Sequence, residues 1–300
     1  MKRFMNIKGL AAAAALVLMA AVLAVGADAP TAAAGGAALG PGPKAPTVAD
    51  AFVGEELVYR IGFWIFDDIA EGKVSLAEDP DGGYVATLEA QTTGFVGFLM
   101  RHRKDTYVAR LRLSEDGKRF ITKTFEKTVD KNGRVRRGIT TLDYEKGLLT
   151  WKSWGGGKDE RSDAIQLPGG VYFDDPLAAF YNFRYGAYGP VGEGREYRIL
   201  TFPKREDHLP EIYVRVATRR EMEKKVKQEK PYADYLAEAR IDKELFGQQK
   251  GDIEILFTGG MTPVYAVARD VAMFGDVRGK LTQISARMDL KKTASGAAAQ

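Results

Sequence analysis

The sequence predicts a mainly β protein: antiparallel strands in a large, partly open barrel-like sheet with one or two short helices packed against it. Three observations predict this. Apolar residues alternate with polar or smaller ones at Tyr107, Ala109, Leu111 and Leu113, at Ile212, Val214 and Val216, and at Ile253, Ile255 and Phe257. That period places one set on a core face and the other toward water. Turn-forming pairs separate such runs, at Asp81-Gly82-Gly83, Asp116-Gly117, Asn132-Gly133 and Lys146-Gly147, where Asn-Gly and Asp-Gly supply the positive φ of tight hairpins. Helical spacing is confined to two short segments. The strand-sized runs number about ten to twelve, which suits a barrel, a partly open barrel or a sandwich.

Taken in order, residues 1–27 open on Lys2, Arg3 and Lys8 and continue as the uncharged run LAAAAALVLMAAVLAV over 10–25. Small residues at Val25-Gly26-Ala27 complete the layout of a cleaved secretory signal peptide. The run is shorter and more Ala-rich than a permanent membrane span requires. Residues 28–49, rich in Ala, Gly and Pro, read as a disordered linker. A single β-rich domain is expected over 50–290, and a disordered tail over 291–300. Within the domain, 95–101 reads as a short helix. A better-marked helix runs from Asp175 to Tyr185: Asp174 or Asp175 can cap it, Pro176 suits its first turn, and Gly186 ends it. The charged stretch RREMEKKVKQEK at 219–230 fits either a solvated hairpin arm or a short exposed helix. A weak echo links Gly54-Glu55 before Tyr59-Arg60-Ile61 to Gly192-Glu193 before Tyr197-Arg198-Ile199. Chance explains five matches over eight positions more simply than duplication.

The chain has 44 Lys+Arg against 40 Asp+Glu. Without the three basic residues of 1–27, 41 face 40, a net charge of +1, so no general case for nucleic-acid binding survives. There is no cysteine; stability must come from a core, and thiol chemistry is excluded. No other apolar run is long enough to span a membrane as a helix after leader removal.

The residues spell no nucleophile elbow, P-loop, dinucleotide fingerprint or zinc-protease motif. His102 sits in the basic run Arg101-His102-Arg103-Lys104, which repels a metal cation, and His208 reads as a loop residue. Asp79-Pro80-Asp81-Gly82 and Asp130-Lys131-Asn132-Gly133 read as turns, and Asp67-Asp68 as the turn after the first strand. Asp174-Asp175 would suit the paired carboxylates of a glycosidase, but neighbours in sequence diverge in direction and capping already explains them. No catalytic residue, metal site or cofactor is implied.

The aromatics are more suggestive. Tyr59, Phe63, Trp64 and Phe66 crowd the first strand, Trp151 and Trp154 flank Lys152-Ser153, and Phe180, Tyr181, Phe183, Tyr185 and Tyr188 crowd the main helix. Such residues either line a cavity for an apolar or ring-shaped ligand or simply fill a core. Tyr59, Phe63, Trp154, Phe180, Tyr181 and Arg184 are the candidate ligand-binding residues. A first strand aromatic on both faces suggests cover on both faces.

The chain resembles the bacterial exported proteins grouped as domain of unknown function 3108. The resemblance is carried by Phe52-Val53-Gly54-Glu55-Glu56-Leu57-Val58-Tyr59-Arg60-Ile61, Gly72-Lys73-Val74, Asp175-Pro176-Leu177-Ala178-Ala179-Phe180-Tyr181-Asn182-Phe183-Arg184, Gly251-Asp252-Ile253-Glu254-Ile255, Pro263-Val264 and Phe274-Gly275-Asp276-Val277-Arg278-Gly279-Lys280-Leu281. It implies a periplasmic or envelope location and a β-rich fold, with no activity attached. The leading expectation is a periplasmic, non-enzymatic protein that binds a lipid, glycolipid or other envelope component. Alternatives are a scaffold in envelope biogenesis, using a sheet edge or the basic 99–104 and 131–137 segments, a polysaccharide-acting enzyme, and, more weakly, an outer-membrane barrel.

Overall fold

A computed structural model of the chain describes residues 46–63, 66–94, 102–203, 208–226, 232–241, 251–271 and 275–285. The leader, most of the linker, Trp64, the helix expected at 95–101 and the tail lie outside them.

The described elements run α1 (Val48–Phe52), β1 (Glu56–Phe63), β2 (Phe66–Glu78), β3 (Tyr84–Thr92), β4 (Arg103–Leu113), β5 (Phe120–Lys131), β6 (Arg134–Asp143), β7 (Leu148–Gly155), β8 (Lys158–Gln166), α2 (Pro176–Tyr185), β9 (Glu196–Leu200), β10 (Glu211–Val216), α3 (Arg219–Lys225), β11 (Tyr235–Ile241), β12 (Gly251–Phe257), β13 (Pro263–Val271) and β14 (Gly275–Ser285). All fourteen strands lie in one antiparallel sheet, in the order β8-β7-β6-β5-β4-β3-β2-β1-β14-β13-β12-β11-β10-β9. Two meanders, β1–β8 and β9–β14, are thus joined where β1 pairs with β14. The sheet is not closed: β8 and β9 are its two ends, and the segment carrying α2 connects them.

The expected turns fall between strands. Asn132 and Gly133 take φ of 55° and 77°, the pair of positive values a tight hairpin needs. Asp67 and Asp68 belong to β2 rather than to the turn before it, and Asp68 pairs with Arg60 across the β1–β2 ladder. The described residues begin at Pro46, inside the stretch read as linker. Thr47 and Asp50 form a reciprocal capping box on α1, and the Val48 N–H donates to Gly117 O, so Val48 and Ala49 are buried.

α2 is the hub. Asp175 caps it, with Oδ1 accepting from the Leu177 and Ala178 N–H groups. Gly186, at φ 83°, ends it; its N–H and that of Ala187 satisfy the Phe183 and Asn182 carbonyls, the Schellman closure that glycine allows. Every residue from Leu177 to Arg184 is buried. One core cluster draws on α1, α2 and strands of both meanders, so the sheet folds about this helix.

β1 turns one face to the core. Leu57, Tyr59 and Ile61 are buried, and on the other face Arg60 is exposed while Gly62 is buried. Trp64, on which the expectation of cover on both faces partly rested, lies outside the described residues. The outer face of β10–β12 carries α3, a helix where a solvated hairpin arm was the other reading. Met222 packs with Ala217, Leu236 and Leu256. Around them Arg215 pairs with Glu221 and Glu238, Lys225 with Glu238 and Glu254, and Arg269 with Glu254 and Asp276. No helix among the described residues is long and apolar enough to cross a membrane.

Candidate functional site

Four of the six candidate residues come together inside the fold. Arg184, 1% exposed, forms a bidentate pair with Glu55, at 2.5 and 2.6 Å. Its Nε donates to Met261 O at 2.9 Å. The guanidinium sits between the Phe52 and Phe180 rings, 4.4 and 4.7 Å from their centroids. Tyr59 OH donates to Pro263 O at 3.0 Å. Burial pushes both the Tyr59 and Tyr181 hydroxyls well above the usual phenol range. Tyr181 OH is buried and has no hydrogen-bond partner among the described residues. The cluster ties α1, β1, α2 and the Thr258–Met261 turn together, and Phe180 and Tyr181 are wholly buried. These groups form interior rather than a surface a ligand could reach.

Phe63 is half-buried at the end of β1, with its ring centroid 5.7 Å from that of Phe66. Trp154 stands apart. Register places it opposite Arg137, which opposes Thr128, which opposes Thr106. That row is on the outer face of the sheet, because the buried Asp105, Tyr107 and Ala109 alternate with it on β4. Trp151, three residues earlier, is on the inner face.

The other end of α2 holds a second buried polar group. Asp174 and Asp175 are both wholly buried. Asp174 accepts from Arg119 at 2.7 Å, from the Tyr188 hydroxyl and from Asn182 Nδ2 at 3.3 Å. Thr122 Oγ1 donates to Asp175 Oδ2 at 2.7 Å. Burial raises the Asp174 carboxyl and pushes Asp175 up to about 7. Capping therefore explains Asp175 alone; Asp174 is held by Arg119, Tyr188 and Asn182, none of which the sequence connected to it.

The inner face of β4–β8 is graded from one end to the other. Leu142, Leu149 and Ile165 oppose one another in a buried row. The next row is Ala109, Phe125, Thr140, Trp151 and Asp163. Phe125 stacks on Tyr107, at 6.1 Å between centroids, and meets Phe202 edge-on, also at 6.1 Å. Phe125, Trp151 and Phe202 are only partly buried. Beyond them lies Tyr107, Lys127, Gly138, Ser153 and Arg161, then Asp105, Val129, Arg136 and Gly155, and finally Arg103, Lys131 and Arg134. The Lys127 ammonium is 5.1 Å from the Tyr107 ring centroid. An apolar base, an aromatic shelf and a basic rim thus follow one another on one surface. Trp151 shares parity with the buried Leu149 and Trp154 does not, but the neighbouring Leu148 is equally apolar, so the sequence alone left the inner face undecided.

No protein-family model matches the chain, and no curated protein matches it. Among solved structures the chain is similar to a "beta-barrel-like protein of domain of unknown function DUF1849 from Brucella abortus", at 14% identity and a TM-score of 0.42, covering 79% of this chain and 99% of that one.

Proposed function

We propose that the protein is an exported, periplasmic member of the domain-of-unknown-function-3108 group that binds a hydrophobic or amphipathic envelope ligand, a lipid or glycolipid, without catalysing a reaction. The leader-like N-terminus supports export, and the quoted motifs support the family. One observation carries the binding reading: Phe125 on β5 and Trp151 on β7 are partly exposed on the inner face of the sheet, and the partly buried Phe202, which follows β9, meets Phe125 edge-on. Aromatic surface left partly unburied on an interior face is a ready contact for an apolar ligand. The scaffold reading is less favoured, because the end strand β8 reads Lys158-Asp159-Glu160-Arg161-Ser162-Asp163 and such charge blunts strand addition.

Native mass spectrometry of protein purified from a bacterial periplasm, with lipid extraction of the same sample, tests the proposal. A co-purifying amphiphile at stoichiometric level is expected. Trp151→Ala with Phe125→Ala should weaken its binding by about ten-fold or more, from the lost apolar contact. Protein that is bare and stays bare when offered envelope lipids would overturn the proposal.

A further inference from the structure

The sequence singled out two basic segments, 99–104 and 131–137, without joining them. Register joins them: Arg103 opposes Lys131, and Lys131 opposes Arg134, across β4, β5 and β6. Residues paired in this way stand roughly 4.5–5.5 Å apart at Cα, and like charges directly opposite one another destabilise a sheet. One row inward lies Arg136 and one further Arg161, both on the same inner face. Arg134, Arg136 and Arg161 are exposed.

A directly opposed pair of cations, Lys131 and Arg134, sets this rim apart. Arg112, Arg137 and Lys152 also form no ion pair among the described residues but face no cation across a strand pair. Arg103 is neutralised by a bidentate contact to Asp105, at 2.7 and 2.8 Å. Elsewhere Arg60, Lys73, Arg110, Arg119, Arg184, Arg215, Lys225 and Arg269 each hold a carboxylate. Among the described residues Lys131, Arg134, Arg136 and Arg161 form no ion pair. Four uncompensated cations on adjoining rows keep a cost in the sheet that a bound anion would remove.

We infer that Lys131, Arg134, Arg136 and Arg161 receive the phosphate of an anionic amphiphile whose apolar part lies on Phe125, Trp151 and Phe202. The inference rests on the binding function proposed above and adds the head-group chemistry. Distances suit it. At about 3.4 Å per residue, the Arg161 and Arg136 rows stand roughly 7 and 14 Å from the aromatic row, within the reach of one acyl chain. Gly138, in the row between, leaves the path open, with no side chain between Lys127 and Ser153. Guanidinium groups suit phosphate oxygens, which they bind in bidentate fashion.

Calorimetric titration of the purified protein with lysophosphatidylglycerol and lysophosphatidylcholine of the same chain length tests this. Both probes are used below their micellar concentration, and they share chain and phosphate but differ in net charge. Tighter binding of the glycerol form, by about ten-fold at low ionic strength, is expected, with the margin shrinking as sodium chloride is added. Arg134→Gln with Arg136→Gln and Arg161→Gln should erase the margin and leave choline-form binding intact. Intact choline-form binding also reports that this variant folds; Arg161→Gln alone should narrow the margin in part. Arg137→Gln with Lys152→Gln removes two cations from the outer face and should leave the margin unchanged. Equal binding of both probes to the unaltered protein would overturn the inference and leave amphiphile binding standing. Inorganic phosphate binding as tightly as the glycerol form would overturn it in favour of a free anion. Binding of neither probe would overturn it together with the function it rests on.

Discussion

Asp175 caps α2 with one carboxylate oxygen and accepts from Thr122 with the other, and no part of it reaches solvent. Desolvation outweighs these hydrogen bonds and holds the carboxyl at about 7 in the folded protein, against an ordinary value of 3.8. Folding therefore favours the protonated form. That contribution is complete below pH 3.8 and is lost as pH rises through about 7. Asn is an equally good cap and does not ionise. Asp175→Asn should gain stability relative to the unaltered protein as pH rises from 5 to 8, read as a growing difference in urea midpoint. Parallel curves across that range would refute it. The Glu55–Arg184 pair works differently. Its charges are matched and hydrogen-bonded in the interior, so the pair fixes how α1, α2 and the Thr258–Met261 turn meet more than it adds to stability.

Helix α2 is held to the sheet by an exchange that imitates a strand. Residues Phe120 to Thr122 of β5 pair with β4, but the β5–β6 register starts only at Thr124. The backbone of Phe120 thus lacks a strand partner on that side, and Asn182 supplies one. Its Oδ1 accepts from the Phe120 N–H at 2.6 Å, and its Nδ2 donates to Phe120 O at 2.8 Å. Asn182→Ala would leave two buried backbone groups unpaired, each costing about 1–3 kcal/mol. A loss of about 2–4 kcal/mol in chemical denaturation is expected. A change below 1 kcal/mol would show that Asn182 does not hold the edge.

At the scale of the molecule, the two meanders differ in how much core supports them. β1 and β14 lie mid-sheet, and buried Leu57, Tyr59, Ile61 and Val277 anchor them in the main cluster. β6 to β8 run to one end of the sheet, and Leu142, Leu149 and Ile165 are their only buried apolar residues among those described. Opening should begin where few apolar contacts resist it. Hydrogen exchange read by mass spectrometry should show β6–β8 amides exchanging well before those of β1 and β14. Uniform protection across the sheet would contradict this. The same layout gives the Gly54-Glu55 and Gly192-Glu193 echo a place: each precedes the first strand of a meander. Each also supplies a buried tyrosine, Tyr59 and Tyr197, whose hydroxyl donates to a proline carbonyl.

The sequence by itself determined the local elements. Period-two alternation, Asn-Gly and Asp-Gly turns, and the Asp175, Pro176 and Gly186 punctuation depend on neighbours in the chain, so the strands, hairpins and α2 were legible. It undercounted strands because edge strands such as β8, Lys158–Gln166, bury little and carry no clear alternation. The tertiary structure alone decided which face each residue occupies. Trp151 and Trp154 are three apart and so fall on opposite faces, and only the register to a buried neighbour says which face is inside. It also decided that Tyr59, Tyr181 and Arg184 are sealed in the core, that Asp174 is tied to Arg119 and Tyr188, and that two distant basic segments form one rim. Those facts depend on strand pairing and on side-chain contacts that only the folded arrangement brings together, which no local pattern encodes.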